Sequence, residues 1–312
     1  MDEAGLQPLV VLCGPTAAGK TAAAVALASH FDLEVISADS RQVYRLMDIG
    51  TAKPTAAERA QVAHHLVDVV WPDEPFDAAR FAAMAAEVID GIAARKRLPV
   101  VVGGTGLYIR ALTEGLAEIP RPVPALRARL QQEAAEFGGD ALHRRLREVD
   151  PEAAQLLHCN DRVRIVRALE VFEQTGRPLS VWQREHGFRT RRYRLLKIGL
   201  SPGRQELYRR IDTRAEVMLA GGLVEETAAL LTAGYAPQLK SLQTIGYREA
   251  VRLLQGECSR DQALLELQQA TRRYAKRQLT WFRADSEIIW VDSLSDFDNI
   301  KMLMAQFLCR MT

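Results

Sequence analysis

Short apolar runs rich in β-branched residues recur at 8–14, 33–39, 65–70, 98–103, 194–200 and 288–292, bounded by Gly or Asp. Runs of that length and composition predict buried strands. Ala-rich stretches at 20–30 and 77–95 lie between them and predict helices. Strands alternating with helices imply an α/β fold, a parallel sheet covered by helices on both faces. The alternation stops after Gly115, and from 127 to 186 the pattern is helical with charged positions interleaved. That stretch reads as an inserted all-helical subdomain, expected over 119–194, with the core at 1–118 and 195–312. The Pro-containing stretch 119–124 and residues 189–193 are expected to be its hinges, so that it closes as a unit. On the last long helix, at about 100° per residue, Arg272, Arg273, Lys276, Arg277 and Arg283 fall within an arc of about 140°. Leu264, Leu267, Tyr274, Trp281 and Phe282 fall opposite, which predicts one packed face and one basic face.

Composition narrows the class. The 312 residues, 48% hydrophobic and 26% charged, suffice for a full core, so disorder is excluded as the main state. Scattered Gly and Pro, no fixed repeat and no 20-residue apolar run exclude fibrous, solenoid and transmembrane readings. Residues 1–9 carry two acids and no basic, apolar leader, and Cys13, Cys159, Cys258 and Cys309 form no CxxC pair. Reduced thiols and a cytoplasmic location are therefore expected. The net charge of +2 hides an asymmetry: residues 121–194 hold fifteen arginines, no lysine and ten acids, which leaves the remainder slightly acidic. Guanidinium groups in that density suit a phosphate backbone, and equally a solvated helical surface.

The strongest chemical signal is Gly14, Pro15, Thr16, Ala17, Ala18, Gly19, Lys20 and Thr21, a GxxxxGK[ST] match placed between an apolar run and an Ala-rich helix. In a P-loop NTPase-like sheet, the backbone N–H groups and helix N-terminus cradle a diphosphate, Lys20 neutralises it, and the Thr21 hydroxyl binds Mg2+. The pattern specifies a polyphosphate and no more. Asp39 ends the second run, at the sheet edge that carries the P-loop, where it can serve as a Mg2+ ligand or as a general base. The Gly103-Gly104-Thr105-Gly106 turn ends at the same edge and lets a substrate approach the backbone closely, with Thr105 as donor. His64 and His65 are adjacent on a strand and so face opposite ways, which argues against a metal pair.

Together these residues resemble the tRNA dimethylallyltransferases, or tRNA isopentenyltransferases, of bacterial type. The resemblance rests on GPTAAGKT at 14–21, ISADS at 36–40, QVY at 42–44, MDIGTAKP at 47–54, HHL at 64–66, GGTGLY at 103–108 and RALE at 167–170. It continues through Arg210, Ile211 and Arg214, IGY at 245–247, and YAKRQ and TWFR at 274–278 and 280–283. MDIGTAKP and the YAKRQ helix are far more specific than the P-loop. The resemblance implies transfer of a dimethylallyl group from dimethylallyl diphosphate to N6 of adenosine 37 in tRNAs that read codons starting with U. The P-loop then holds prenyl diphosphate in place of ATP, with Mg2+ at Thr21, Asp39 as general base, and Lys20, Thr21 and Arg214 assisting diphosphate departure. Implied tRNA contacts are Asp39, Ser40, Arg41, Gln42, Thr105, Arg127, Val163, Arg164, Ile165, Val166, Arg167, Gln243, Thr244, Ile245, Gly246, Tyr247 and Arg248. Arg272, Lys276 and Arg277 would grip phosphates, and Tyr44 and Tyr247 are candidate stacking residues. No membrane partner is expected, and a monomer is the default.

Two departures stand out. Ala18 replaces the family's usual Ser, and no CxxC and His pairs of a C-terminal zinc finger are present. Two rival readings remain. One is a P-loop kinase of a small metabolite, with Arg162, Arg164 and Arg167 as lid arginines on ATP. The other is an RNA-binding regulator that uses nucleotide as a switch without transfer chemistry.

Overall fold

A computed structural model of the chain describes residues 5–187, 192–292 and 296–309. In chain order the elements are β1 (Gln7–Cys13), α1 (Lys20–Ala28), β2 (Leu33–Ser37), α2 (Ala56–Gln61), β3 (His64–His65), α3 (Ala78–Ala94), β4 (Leu98–Gly103) and α4 (Gly106–Glu114). Next come α5 (Pro124–Glu136), α6 (Gly139–Val149), α7 (Pro151–Leu156), α8 (Arg162–Thr175) and α9 (Leu179–His186). The last group is β5 (Tyr193–Leu200), α10 (Arg204–Ala220), α11 (Leu223–Thr232), α12 (Tyr247–Leu254), α13 (Arg260–Arg283), β6 (Ile288–Val291) and α14 (Phe297–Cys309).

The chain divides into two compact units, one of residues 1–113 and 191–312 and the other of 114–190. In the first, the strands form one sheet in the order β3-β2-β4-β1-β5-β6. Every pairing is parallel. β1, β2 and β4 are buried along almost their whole length, because helices cover both faces. That double burial is why these strands read as continuous apolar runs instead of alternating ones. Side chains such as Leu12, Ile36 and Phe81 are fully buried, and each stabilises the fold by roughly 1.5–3 kcal/mol. Helix starts follow their capping residues: Asp77 accepts from the Arg80 N–H at 2.9 Å, and Ser259 from Gln262 at 3.2 Å.

The sheet positions the site. β1 lies between β4 and β5, with β2 on the far side of β4. Consecutive connections therefore leave in different directions and open a crevice at the carboxyl ends of β1, β4 and β2. The P-loop, the Gly104 turn and Asp39 follow those three ends directly.

The second unit is entirely helical and packs Leu130, Leu142, Leu146, Ile165 and Leu169 into its own core. Its buried carboxylates are satisfied. Asp150 caps α7 through the Ala153 N–H at 3.0 Å and accepts from the Ser180 hydroxyl at 2.6 Å. Glu170 accepts from Arg127 at 2.6 Å, Arg167 at 3.0 Å and the Val123 N–H at 3.1 Å.

Three expectations need correction. The run at 65–70 is not a strand: only His64–His65 pairs, and Val70 makes one isolated bridge to Tyr44. Leu66 and Asp68 both adopt left-handed backbone, near φ 60°, which no strand accommodates. The stretch 119–124 is no free hinge, because Arg167 donates to the Pro120 carbonyl at 2.7 Å and Glu170 holds Val123. The division falls earlier, at 113/114, and the second hinge region at 189–193 lies partly outside the described residues. Finally, Tyr193 belongs to β5 rather than to the insertion.

Candidate active site

The P-loop turns immediately after the last paired residue of β1, Cys13 opposite Gly103. Gly14 and Gly19 take positive φ, at 135° and 88°, and Ala17 is left-handed at 63°. These conformations turn successive N–H groups toward one point. α1 starts at Lys20 with no side-chain cap, so its first-turn N–H groups remain available to an anion. Ala18 is only 1% exposed and packs into the sheet core with Val10 and Leu12. Its side chain points away from the cradle, which explains physically why the missing hydroxyl leaves the loop intact.

The cradle opens onto a cavity of about 660 Å3 lined by Lys20, Thr21, Asp39, Arg41, Arg210 and Arg214, among others. Lys20 folds back on its own loop and donates to the carbonyls of Pro15 at 2.7 Å and Gly14 at 3.1 Å. Burial pushes its ammonium down to about 8; Asp39 opposes that shift and Arg214 adds to it. Arg214 is likewise lowered by burial, with Asp39 opposing, and no carboxylate among the described residues pairs with it. Arg210 is different: Glu206 accepts from its Nε at 2.6 Å. Both arginines line the cavity, but among the described residues only Arg210 is tethered by an acid. Asp39 is held by its neighbour, Oδ1 accepting from the Arg41 N–H at 2.8 Å.

The cavity also has an apolar lining: Ile211, Ala215 and Met218, on the same helix as Arg210 and Arg214, together with Ile245 and Leu267. Cations, the Asp39 carboxylate and apolar side chains in one space suit a substrate with a charged head and a hydrocarbon tail; the second lining carboxylate, Glu58, is tied to Thr55 at the start of α2. Among the described residues, no group of three His, Cys, Asp or Glu could hold a metal ion by itself. His64 Nδ1 donates to the Val62 carbonyl at 2.8 Å and His65 Nε2 to Glu34 at 2.6 Å, so both imidazoles serve the fold.

Of the residues expected to contact RNA, Asp39, Arg41, Gln42, Gln243, Thr244, Ile245 and Arg277 line the cavity. Ser40 and Thr105 adjoin it, the Ser40 N–H donating to Thr105 Oγ1 at 3.0 Å. Val163, Arg164, Arg248 and Lys276 are exposed. Others are corrected. Tyr247 is 0% exposed, its hydroxyl donates to Glu226, and its ring fills the space beside Gly50, so it cannot stack on a base. Tyr44, Ile165 and Val166 are also core side chains, and Gly246 is buried. Arg127 and Arg167 are committed to Glu170. Arg272 is half-buried and bound in a fork by Asp212, so it leaves the basic face to Arg273, Lys276, Arg277 and Arg283. Trp281 is not packed away either; it remains 44% exposed with its indole against Gly106.

Further groups of the site are weakly marked in the sequence. Tyr274, expected only to pack, lines the cavity. Burial pushes its phenol up to about 12, with Asp39 adding to the shift and the hydrogen bond to Thr105 opposing it. Gln278 bridges two loops of the site, and Glu226 accepts from the N–H groups of Asp48 at 2.9 Å, Ile49 at 2.9 Å and Gly50 at 3.3 Å. One signal was present. Thr271, Tyr274 and Gln278 interrupt the buried stripe between Leu267 and Phe282 at helical spacing, and a polar group on a buried face needs a partner.

A P-loop at the switch point of a parallel sheet, with a basic residue, a carboxylate and an apolar wall around it, defines an enzyme that acts on a phosphorylated, partly apolar substrate. The IPP transferase family matches residues 42–285, and isopentenyl transferase matches 7–70. The chain belongs to the IPP transferase family. It is 51% identical over 300 residues to tRNA dimethylallyltransferase 1 of Pelobacter propionicus, covering 96% of this chain and 97% of that one. It is 52% identical over 299 residues to the tRNA dimethylallyltransferase of Geobacter sulfurreducens, covering 96% of each. The crystal structure of the full-length tRNA isopentenylpyrophosphate transferase of Bacillus halodurans superposes with TM-score 0.72 at 40% identity over 98% of both chains. A eukaryotic dimethylallyltransferase acting on tRNA gives TM-score 0.77 at 27% identity, over 94% of this chain and 76% of that one.

Proposed function

We propose that this chain transfers the dimethylallyl group of dimethylallyl diphosphate to N6 of adenosine 37 in tRNAs that read codons beginning with U, releasing diphosphate. The observation that carries the reading is that the P-loop cation, the Asp39 carboxylate and apolar side chains line one cavity. Of the three arginines a kinase lid would use, Asp161 engages Arg164 and Glu170 engages Arg167, which leaves only Arg162 without an acid partner among the described residues.

The P-loop N–H groups and Lys20 bind the diphosphate, and Arg214 adds positive charge from α10. When the C1–O bond breaks, its electron pair leaves with the diphosphate, and these cations stabilise the developing charge, Lys20 exchanging its bonds to the Pro15 and Gly14 carbonyls for phosphate oxygens. The apolar wall shields the delocalised allyl group from water. The N6 lone pair forms the new bond to C1. An adenine amino group is a weak nucleophile, so loss of its proton to Asp39 drives the attack to completion. Mg2+ fits this donor set: the Thr21 hydroxyl, which lines the cavity, would hold it together with oxygens of the substrate. When bound there it would supply further positive charge to the departing diphosphate. A base that reaches Asp39 must leave the anticodon-loop stack, and the exposed Arg273, Lys276 and Arg277 suit the flanking phosphates. A tRNA substrate also supports a cytoplasmic location, and the protein is read as a monomer.

Transfer of radiolabel from dimethylallyl diphosphate to an unmodified anticodon stem-loop carrying A36-A37-A38, with Mg2+ and without ATP, tests the reading. Wild-type protein is expected to label N6 of A37. Asp39→Asn is expected to lower turnover at least a hundredfold while RNA binding stays measurable. Wild-type turnover in that variant removes Asp39 as the base, and no label on wild-type RNA refutes the reaction.

A further inference from the structure

The diphosphate cradle and the base sit on different loops, and the sheet does not tie those loops together. Its ladder between β1 and β4 ends at Cys13 opposite Gly103. Beyond that rung, a side chain spans the gap. Gln278, on α13 and only 6% exposed, accepts from the Thr16 N–H at 2.9 Å and donates to the Gly104 carbonyl at 2.8 Å. The next links are backbone and hydroxyl: Thr105 N–H donates to the Ala38 carbonyl at 3.2 Å, and Ser40 N–H donates to Thr105 Oγ1 at 3.0 Å. Arg41 N–H then holds the Asp39 carboxylate at 2.8 Å. A continuous chain thus runs from the P-loop through Gln278 to the base. Gly104 leaves room for it, since a Cβ there would meet the Gln278 amide.

We propose that Gln278 is a positioning residue for the transfer reaction, setting the separation between the diphosphate cradle and Asp39. The inference rests on the reaction given above. Its primary amide suits the task because it both accepts and donates, while a carboxylate of the same shape only accepts and would face the Gly104 carbonyl lone pairs. Two neutral hydrogen bonds contribute little to a fold of this size, but a misplacement of about 1 Å at a reacting centre costs about a hundredfold in rate. A displaced acceptor has a second consequence. If the C1–O bond breaks with N6 out of line, water supplies the lone pair to C1, and its proton passes to solvent. The products are then dimethylallyl alcohol and diphosphate, released without transfer.

The test compares wild type with Gln278→Met, which loses both bonds, and Gln278→Glu, which keeps only the bond from Thr16. Turnover, KM for both substrates, and the ratio of diphosphate released to prenyl group transferred are measured together, with thermal melting as the check on folding. Both variants are expected to lose about 10–100-fold in kcat with KM changed less than about threefold, and to release more diphosphate than they transfer. Amide hydrogen exchange at 15–18 and 103–106 is expected to accelerate in Gln278→Met, a readout that needs no turnover. Turnover within threefold of wild type, a loss confined to KM, or unaltered exchange at both loops overturns the proposal. An inert wild type refutes the reaction instead, and the exchange result then still decides whether Gln278 couples the loops. Should Gln278→Met fail to fold, Gln278→Glu carries both readouts.

Discussion

Lys20 is the cation in the site whose charge is most exposed to pH. Burial brings its ammonium from an ordinary 10.5 to about 8 in the free protein. A bound diphosphate sets more than one negative charge against it, which restores the protonated form throughout the accessible range. Binding above pH 8 must therefore take a proton from solution. With a free-state value of about 8, the protonated fraction is about 0.9 at pH 7 and about 0.1 at pH 9. Affinity for dimethylallyl diphosphate is thus expected to fall about tenfold, about 1.4 kcal/mol, over that interval. The last ionisation of a phosphate ester, near 6, lies below the window and does not confuse it. Calorimetry without tRNA, at pH 7, 8 and 9 and in two buffers of different ionisation enthalpy, gives the affinity and the protons taken up, expected to approach one per site at pH 9. Lys20→Met is expected to bind about 10–100-fold more weakly at pH 7 and to show no slope. For the free protein the sign reverses: between about 8 and 10.5 the unfolded chain holds more protons, so the Lys20 contribution to stability rises with pH. Flat affinity between pH 7 and 9, or the same slope in Lys20→Met, refutes the assignment of Lys20 as the buried partner of the diphosphate.

Two further predictions concern the frame around the site. Glu226 accepts from three successive N–H groups at 48–50 and from the Tyr247 hydroxyl. Glu226→Ala is therefore expected to cost about 2–4 kcal/mol in denaturant unfolding, and a loss below about 1 kcal/mol would show that water replaces the carboxylate. At the other end of β2, Arg95 first, then His65 and Arg97, hold the Glu34 carboxyl down to about 2. Its contribution is full above the ordinary value of 4.5 and lost as pH falls through about 2. Acid unfolding of Glu34→Gln is expected to begin from a lower stability and depend less on pH below 4.5, and superimposable acid transitions would contradict this.

The strands and the P-loop were legible because buried parallel strands leave unbroken apolar runs and a phosphate cradle requires glycine at fixed spacing. Lys20, Thr21, Asp39 and Arg214 were legible through their motifs, and the cavity brings all four together. What failed was the assignment of partners. Arg127, Arg167 and Arg272 looked like phosphate-binding groups because a guanidinium shows no sign in sequence of the carboxylate that captures it, here Glu170 or Asp212. Tyr247 looked available because a tyrosine beside glycine reads as a turn, whereas its ring packs against Gly50, nearly two hundred residues earlier in the chain.

The segment that most distinguished the family resemblance, 47–54, shows how a motif can be specified by the contacts that hold its backbone. Leu46, Ala52, Leu66 and Asp68 all hold left-handed backbone although none is glycine. Such conformations cost energy and persist only where the surroundings over-determine them. Here they do. Thr51 donates to the Met47 carbonyl at 2.6 Å, the buried Lys53 donates to the Tyr44 carbonyl at 2.6 Å and pairs with Asp48 and Asp68, and Glu226 fixes the N–H groups between. The constrained stretch from Gly50 to Pro54 forms one wall of the cavity. Asp48, Gly50, Thr51 and Lys53 are therefore each specified by a contact that holds the segment in place. The wall bounds the same cavity as Lys20, Arg214 and Asp39, and so the shape of the site depends on hydrogen bonds and ion pairs made behind it.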